Sequence, residues 1–306
     1  SGPWEKGFRY SYHVTNGNQT SGAGSADIVY LYHFIEAQDI ASSGWDYTNS
    51  TSKLTLSFWV KSSVAQNFYG FIKTMDGTAQ LLTFETTALT ADTWKYVTVS
   101  IPGHANLQFD NDAEAGLQLA WMPFFGTDYT TSGKTLNAWA AYSGSDRSPD
   151  NTSTWYTTND ATWEITGVQL EVGQVATPFE HRSYGDELLR CQRYFEIITG
   201  PDVVSTSASE ALISIGHAYT TSRVLGNWQY KVEKRAYPSV STDDASEVQV
   251  LVSGTGWRSA GSFGGNTNIY AARLDADSIS GSPCTAGHAC EMRLSNDGRI
   301  LMDSEL

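Results

Sequence analysis

The feature that most constrains this chain is a short-period alternation, clearest in Trp163-Glu-Ile-Thr-Gly-Val-Gln-Leu-Glu171, where apolar and polar side chains change places almost residue by residue. Successive side chains of a strand point to opposite faces, so the pattern predicts a strand with one face buried. At Ala176-Thr-Pro178-Phe179 the pattern breaks, because Pro178 has no ladder N–H and fixes its own φ. From Asp186 to Phe195 the period becomes helical, with Leu188, Leu189, Cys191 and Phe195 as apolar positions and Gly185 and Asp186 at the start. A closing strand, a stop and a short helix together mark the exit from a domain.

The same rhythm recurs upstream. Phe8, Tyr10 and Tyr12 alternate, and Val29 to Ile35 is a near-continuous apolar run that reads as a buried strand. Leu54 to Lys61 puts Leu54, Leu56 and Phe58 on one face and Thr55, Ser57 and Trp59 on the other. Phe68–Lys73, Leu81–Glu85, Trp94–Ile101 and Leu117–Trp121 continue the series. Short strands separated by turn signals predict a two-sheet sandwich. Beyond the helix, the clearest strands are Ala211–Ile215, Trp228–Val232 and Val248–Val252, with weaker ones at Ile269–Leu274 and Met292–Leu294. The chain of 306 residues has room for about two domains. The expected class is all-β: a sandwich over residues 1–180, a short helical junction over 181–196, and a smaller β-rich domain over 197–306.

Charge removes one class of partner. A net charge of −14 lacks the clustered Lys and Arg that neutralise phosphates, so nucleic acid is not expected. No apolar run approaches the ~20 residues that span a bilayer, and membrane insertion is not expected either. Nothing at the start resembles a signal peptide, and Ser1-Gly2-Pro3 without an initiator Met reads as a cleavage scar on what is expected to be part of a longer protein. Cys191, on the apolar side of the helix, is expected to be a buried thiol. Cys284 and Cys290 flank a short loop in which a disulfide is geometrically possible and two free thiols equally so; with His288 they offer three zinc ligands, without a fourth and outside the standard spacings.

Catalytic motifs are missing. No H-E-x-x-H, Gly-x-Ser-x-Gly or P-loop is found, and no Gly-x-Gly-x-x-Gly opens a helix. Loop carboxylates at Asp110, Asp112, Glu114, Asp128, Asp146, Asp150, Asp243 and Asp244 are what a glycosidase would draw on, but nothing in the spacing sets the separation such a pair needs. Aromatics carry more information. Strand aromatics such as Phe58, Trp94, Tyr96 and Trp121 are expected in the core. Tyr129, Trp139, Tyr142, Trp155 and Tyr156, lying in or beside a polar stretch from Thr127 to Asp160, and Trp257 and Phe263 in a glycine-rich one, are the candidates for stacking on sugar rings.

Ile165 to Glu171, Ala176 to Gly185 and Cys191 to Tyr194, with Ile35 to Ile40 upstream, resemble segments shared by tail-fibre and tail-appendage proteins of bacteriophages. So do the run from Tyr230 through Arg235 and Pro238 to Val240 and the ending Gly298 to Leu306, which looks like a native C-terminus. The resemblance implies that the sandwich, over roughly residues 8 to 195, is a jelly roll similar to carbohydrate-binding modules. It also implies a homotrimer in the virion, assembled in the host cytoplasm, with other virion tail proteins and a bacterial surface polysaccharide or lipopolysaccharide as partners. Modules of this type often carry a structural calcium at a strand end, for which Glu36, Asp39 and Glu171 are the matching acids. The expected function is adhesion without catalysis; a glycan-trimming enzyme and a purely structural virion connector are the alternatives.

Overall fold

The computed structural model describes residues 2–17, 21–150, 154–200, 210–252, 256–295 and 297–305. The chain divides into two compact units, Ser1–His181 and Arg182–Leu306. It is all-β, with a small helical content.

The first unit carries β1 (Tyr12–Thr15), β2 (Ile28–Glu36), a short helix α1 (Ala37–Ala41), β3 (Lys53–Ser62), β4 (Tyr69–Thr74), β5 (Gln80–Glu85), β6 (Lys95–Pro102), β7 (Ala115–Phe125), β8 (Thr130–Thr131), β9 (Trp139–Ala141), β10 (Ser148–Pro149) and β11 (Thr162–Val172). One antiparallel sheet runs β1-β11-β3-β6 and the other β2-β7-β4-β5-β9, the non-sequential orders of a jelly roll, while β8 and β10 make a small parallel pair. The alternation explains the sandwich. Leu54, Leu56, Phe58 and Val60 of β3 point inward with Val97, Val99 and Ile101 of β6, and meet Ile72, Phe84, Leu119 and Trp121 of the opposite sheet in one buried cluster. Burying such side chains contributes about 1.5–3 kcal/mol each, which drives the two sheets together. Gly70 is fixed by this packing, because a Cβ there would lie 2.2 Å from the Phe84 ring.

The second unit carries α2 (Tyr184–Gln192), β12 (Phe195–Thr199), β13 (Glu210–Ala218), β14 (Val224–Gln229), β15 (Ser239–Thr242), β16 (Val248–Val252), β17 (Gly256–Ser259), β18 (Ser262–Thr267), β19 (Ala271–Asp277), β20 (Ala289–Ser295) and β21 (Arg299–Asp303). A seven-stranded sheet, β17-β16-β20-β13-β14-β19-β18, shares a core with a three-stranded sheet, β12-β21-β15. Among the described residues of the whole chain, no helix is long and apolar enough to cross a membrane.

Helix α2 departs from expectation in two ways. It ends at Gln192, because Phe195 begins β12 and pairs with Asp303 of β21. Its N-terminus is capped by Ser183, whose hydroxyl accepts the Asp186 N–H. The expected burial of its apolar side is also not found: Leu188 and Leu189 are 40% and 49% exposed, and Cys191 is exposed rather than a buried thiol. A helix of nine residues has too little length to cover a core, and only Gln192 of it is buried.

The expected strand over Trp228–Val232 stops at Gln229, and the reason is a buried ion pair. Past β14 the chain turns so that Lys234, wholly buried, donates to Glu196 Oε2 at 2.9 Å and to the Gln192 carbonyl. Glu196 is closed by the Trp228 indole N–H at 3.0 Å and the Lys231 N–H at 3.3 Å. Burial, with the Glu196 charge nearby, pushes the Tyr230 phenol up to about 12. An ion pair so far from water depends on both partners, since removing one leaves a buried charge uncompensated. Lys234→Met is therefore expected to cost about 3–5 kcal/mol of stability. Urea unfolding checks this, and a cost below about 1 kcal/mol would show that water reaches Glu196 in the folded state.

Candidate functional site

The loop aromatics are held by packing and hydrogen bonds and are not gathered in one place. Trp155 is fully buried: its indole N–H donates to the Thr162 carbonyl at 3.0 Å, and its peptide N–H to Gln66 Oε1 at 3.1 Å. Tyr156 stacks on Phe124 at 4.3 Å and donates its hydroxyl to Asp27. Trp139 sits in β9 against the core, with its indole N–H on the Pro102 carbonyl at 2.7 Å. Tyr129 and Tyr142 pack with Phe71, Met122 and Phe125 on the outer face of the five-stranded sheet. In the second unit, the Arg293 guanidinium lies 3.9 Å over Trp257, and Phe263 packs on the core. A polar loop has few apolar groups with which to hold itself down, and these rings are what it uses. Removing Trp155 would cost about 3–5 kcal/mol, the range for a core aromatic.

The expected calcium acids are not brought together. Glu36 is buried at the end of β2, where it accepts from the Gln38 side chain, and Asp39 is exposed on α1. Glu171 lies in the other sheet and holds the chain after β11 by accepting the Thr177 N–H at 2.9 Å and hydroxyl at 2.7 Å. Among the described residues, no three His, Cys, Asp or Glu side chains gather as a cation site, and this includes Cys284, His288 and Cys290. Cys284 and Cys290 are buried free thiols; burial pushes both up, with the Cys290 charge adding to the effect at Cys284.

The loop carboxylates shape turns instead of a cleft. Asp112 accepts the Glu114 N–H, Asp243 the Arg299 N–H, and Asp244 the Ser246 N–H. Asp150 accepts the Thr130 hydroxyl, and Asp146 pairs with Lys134 at 3.0 Å.

A different aromatic surface is assembled on the outer face of the four-stranded sheet. Trp59 of β3 pairs across the ladder with Tyr96 of β6, their ring centroids 5.1 Å apart and tilted by 40°. Tyr96 is 41% exposed, against the expectation that it belongs to the core, whereas Phe58 and Trp121 are buried. Beside Trp59, β11 bulges between Thr166 and Gln169. Gly167 in that bulge has φ of 60°, and a Cβ on it would lie 2.5 Å from the Phe8 ring. The bulge thus seats Phe8, which meets Phe179 edge-on at 5.0 Å. Together these residues line a groove of about 420 Å³, with Lys6 at one side, 6.0 Å from the Trp59 ring centroid, and Ser57, Pro178 and Thr177 among its lining.

The signal for this groove was present in the alternation. Trp59 occupies the polar face of Leu54–Lys61, and Tyr96 the polar face it shares with Thr98 and Ser100. On β6 that side is exposed and leaves Tyr96 no core to fill, whereas on β3 it buries Thr55 and Ser57 and leaves Trp59 half-buried.

Next to the groove, Glu164 is held by Lys61 Nζ at 2.7 Å, the Ser11 hydroxyl at 2.9 Å and His13 Nδ1 at 3.5 Å. Burial alone would raise its carboxyl, but the hydrogen bonds from Lys61 and Ser11 and the charges of Lys61 and His13 outweigh it and hold the group below its ordinary 4.5. Lys61 also lies 5.1 Å over Trp94, so the network fixes the aromatic row from one end.

No protein-family model and no curated protein matches the chain. Among solved structures, the N-terminal CBM22-1-CBM22-2 tandem domain from Paenibacillus barcinonensis Xyn10C aligns with a TM-score of 0.22 and 9% identity, over 97% of this chain and 95% of that one. At that score the likeness carries no inference about fold or ligand.

A carboxylate held low in the folded state adds stability above its unfolded value, and that contribution is lost as pH falls through the folded value. Glu164→Gln is therefore expected to be less stable than the parent near neutral pH by about 1–3 kcal/mol, with the difference shrinking below the ordinary carboxylate range. Denaturant unfolding at several pH values checks this; a difference independent of pH would remove Glu164 from the acid-side stability.

Proposed function

We propose that this chain is a glycan-binding part of a bacteriophage tail fibre or receptor-binding protein, which adheres to bacterial surface polysaccharide or lipopolysaccharide without cleaving it. The observation that carries the binding reading is the Trp59–Tyr96 groove. The C–H face of a pyranose stacks on such rings, and Thr177 and Lys6 among its lining are suited to the hydroxyls. Among the described residues, none lining the groove is a carboxylate, so the acid pair of a glycosidase has no place in it. This supports adhesion over the glycan-trimming alternative.

The virion setting rests on the resemblance of Ile165–Glu171, Ala176–Gly185 and Cys191–Tyr194 to tail-fibre segments. In a homotrimer attached to other tail proteins, one weak contact raises the effective concentration of the next, so modest single-site affinity suffices. Light scattering on the purified chain is expected to give the mass of a trimer; a monomer at all concentrations would remove self-association from the proposal.

Trp59→Ala and Tyr96→Ala are expected to weaken binding to host polysaccharide by about tenfold or more, or roughly 1.4 kcal/mol, while leaving the melting temperature near that of the parent. Both side chains stand outside the core, so loss of binding and loss of fold separate here. Unchanged binding in both variants would sink the groove assignment, and new reducing ends released from the polysaccharide would overturn the non-catalytic reading.

A further inference from the structure

The five-stranded sheet has an outer face of its own, and its chemistry differs. Along β2, Tyr30, Tyr32 and Phe34 form a row of rings 5.2 to 5.3 Å apart, with Tyr32 48% exposed. Phe34 pairs with Gln118 of β7, and Gln118 in turn with Lys73 of β4, so Lys73 shares this face. The segment after β7 then folds over the far side of the sheet and brings Arg147 to Lys73.

The two cations share one ring. Lys73 Nζ lies 4.2 Å from the Tyr142 centroid, and Arg147 Cζ lies 5.9 Å from the same centroid and 5.0 Å from that of Tyr129. Arg147 is not there by accident of a mobile side chain. Its N–H donates to the Tyr129 carbonyl at 2.9 Å, and its own carbonyl accepts the Thr83 hydroxyl at 2.8 Å, which pins its backbone to the sheet.

Neither cation is neutralised. Lys61, Lys134, Arg182, Arg223 and Lys234 each have a carboxylate partner. Among the described residues Lys73 and Arg147 have none, and Arg147 Nε is buried without a hydrogen-bond partner. Burial first, and the Arg147 charge second, hold the Lys73 amine below its ordinary value. Aromatic faces offset part of the repulsion between the two charges, and an anion would offset more.

We infer that Lys73 and Arg147, set against Tyr142 on the outer face of the five-stranded sheet, form a subsite for an oxyanion borne on a sugar, either a carboxylate or a phosphate. Arg147 supplies the unpaired N–H groups, Lys73 a second charge, and the ring row of Tyr30 and Tyr32 an apolar surface nearby for the sugar itself. The site lies on the other sheet from the Trp59–Tyr96 groove and does not depend on it.

The test is calorimetric titration of the full chain with a glucuronate-containing disaccharide, with glucose 1-phosphate and with a neutral disaccharide. Binding of either acidic ligand at least about tenfold tighter than the neutral one, weakened by salt, is the expected result. The two acidic arms tell a carboxylate from a phosphate. Lys73→Gln and Arg147→Gln should each remove that preference, Lys73→Arg should keep it, and Trp59→Ala should leave it intact. Equal binding of acidic and neutral ligands, or an acid preference that survives both Gln variants, would overturn the subsite. Loss of the preference in Trp59→Ala alone would overturn it too, and would return the charge to the groove.

Discussion

The first unit rests on the two-sidedness of β3. Leu54, Leu56, Phe58 and Val60 have nowhere to go but into a core, so a second sheet must lie against them. The same backbone geometry sends Thr55, Ser57, Trp59 and Lys61 to the other side, and a one-residue slip would exchange the two sets. Once β6 and β11 are in register, Tyr96 and Thr166 are fixed opposite Trp59. The groove is therefore the outward half of the pattern whose inward half holds the fold together.

That link decides which aromatics are free to act. A ring on a polar loop is exposed only if the loop stands away from the protein, and between Gly126 and Asp160 the described loop lies down. Trp155, Tyr156 and Trp139 are the means by which it does so, each with its polar atom on a carbonyl or carboxylate of the sandwich. A ring on the solvent side of a strand is held open by the strand itself. It needs no loop to support it, and its direction is set by hydrogen bonds it does not make.

This explains how much could be read from the amino-acid order. The strands of the first unit and the sides of β3 follow from local alternation, and that reading already put Trp59 on the face opposite Leu54, Leu56 and Phe58. What local pattern does not contain is the distant partner. Nothing near Trp155 indicates that Gln66 and Thr162 wait for it, 89 and 7 positions away. Lys234 likewise reads as one more polar residue until Glu196, 38 positions earlier, closes over it and ends the strand expected through Val232. Glu36 and Glu171 failed as a pair for the same reason: each has a local task, and they belong to different sheets.

Charge gives a second view of the same division. An exposed pair of a lysine or arginine with a carboxylate contributes little to stability. What sets Lys73 and Arg147 apart is that the two cations lie together on one ring. Lys73 and Arg147 are held beside each other by strand register on one side and by the Tyr129 and Thr83 hydrogen bonds on the other. The fold thus keeps two like charges in place against their repulsion, just as it keeps Trp59 and Tyr96 out of the core. In the proposed reading these are complementary devices on the two outer faces of one sandwich: an aromatic groove for a sugar ring and a pair of cations for its acidic substituent. A long surface polysaccharide repeats both kinds of group along its length, so the two faces need not be bridged by a single sugar to act on the same polymer.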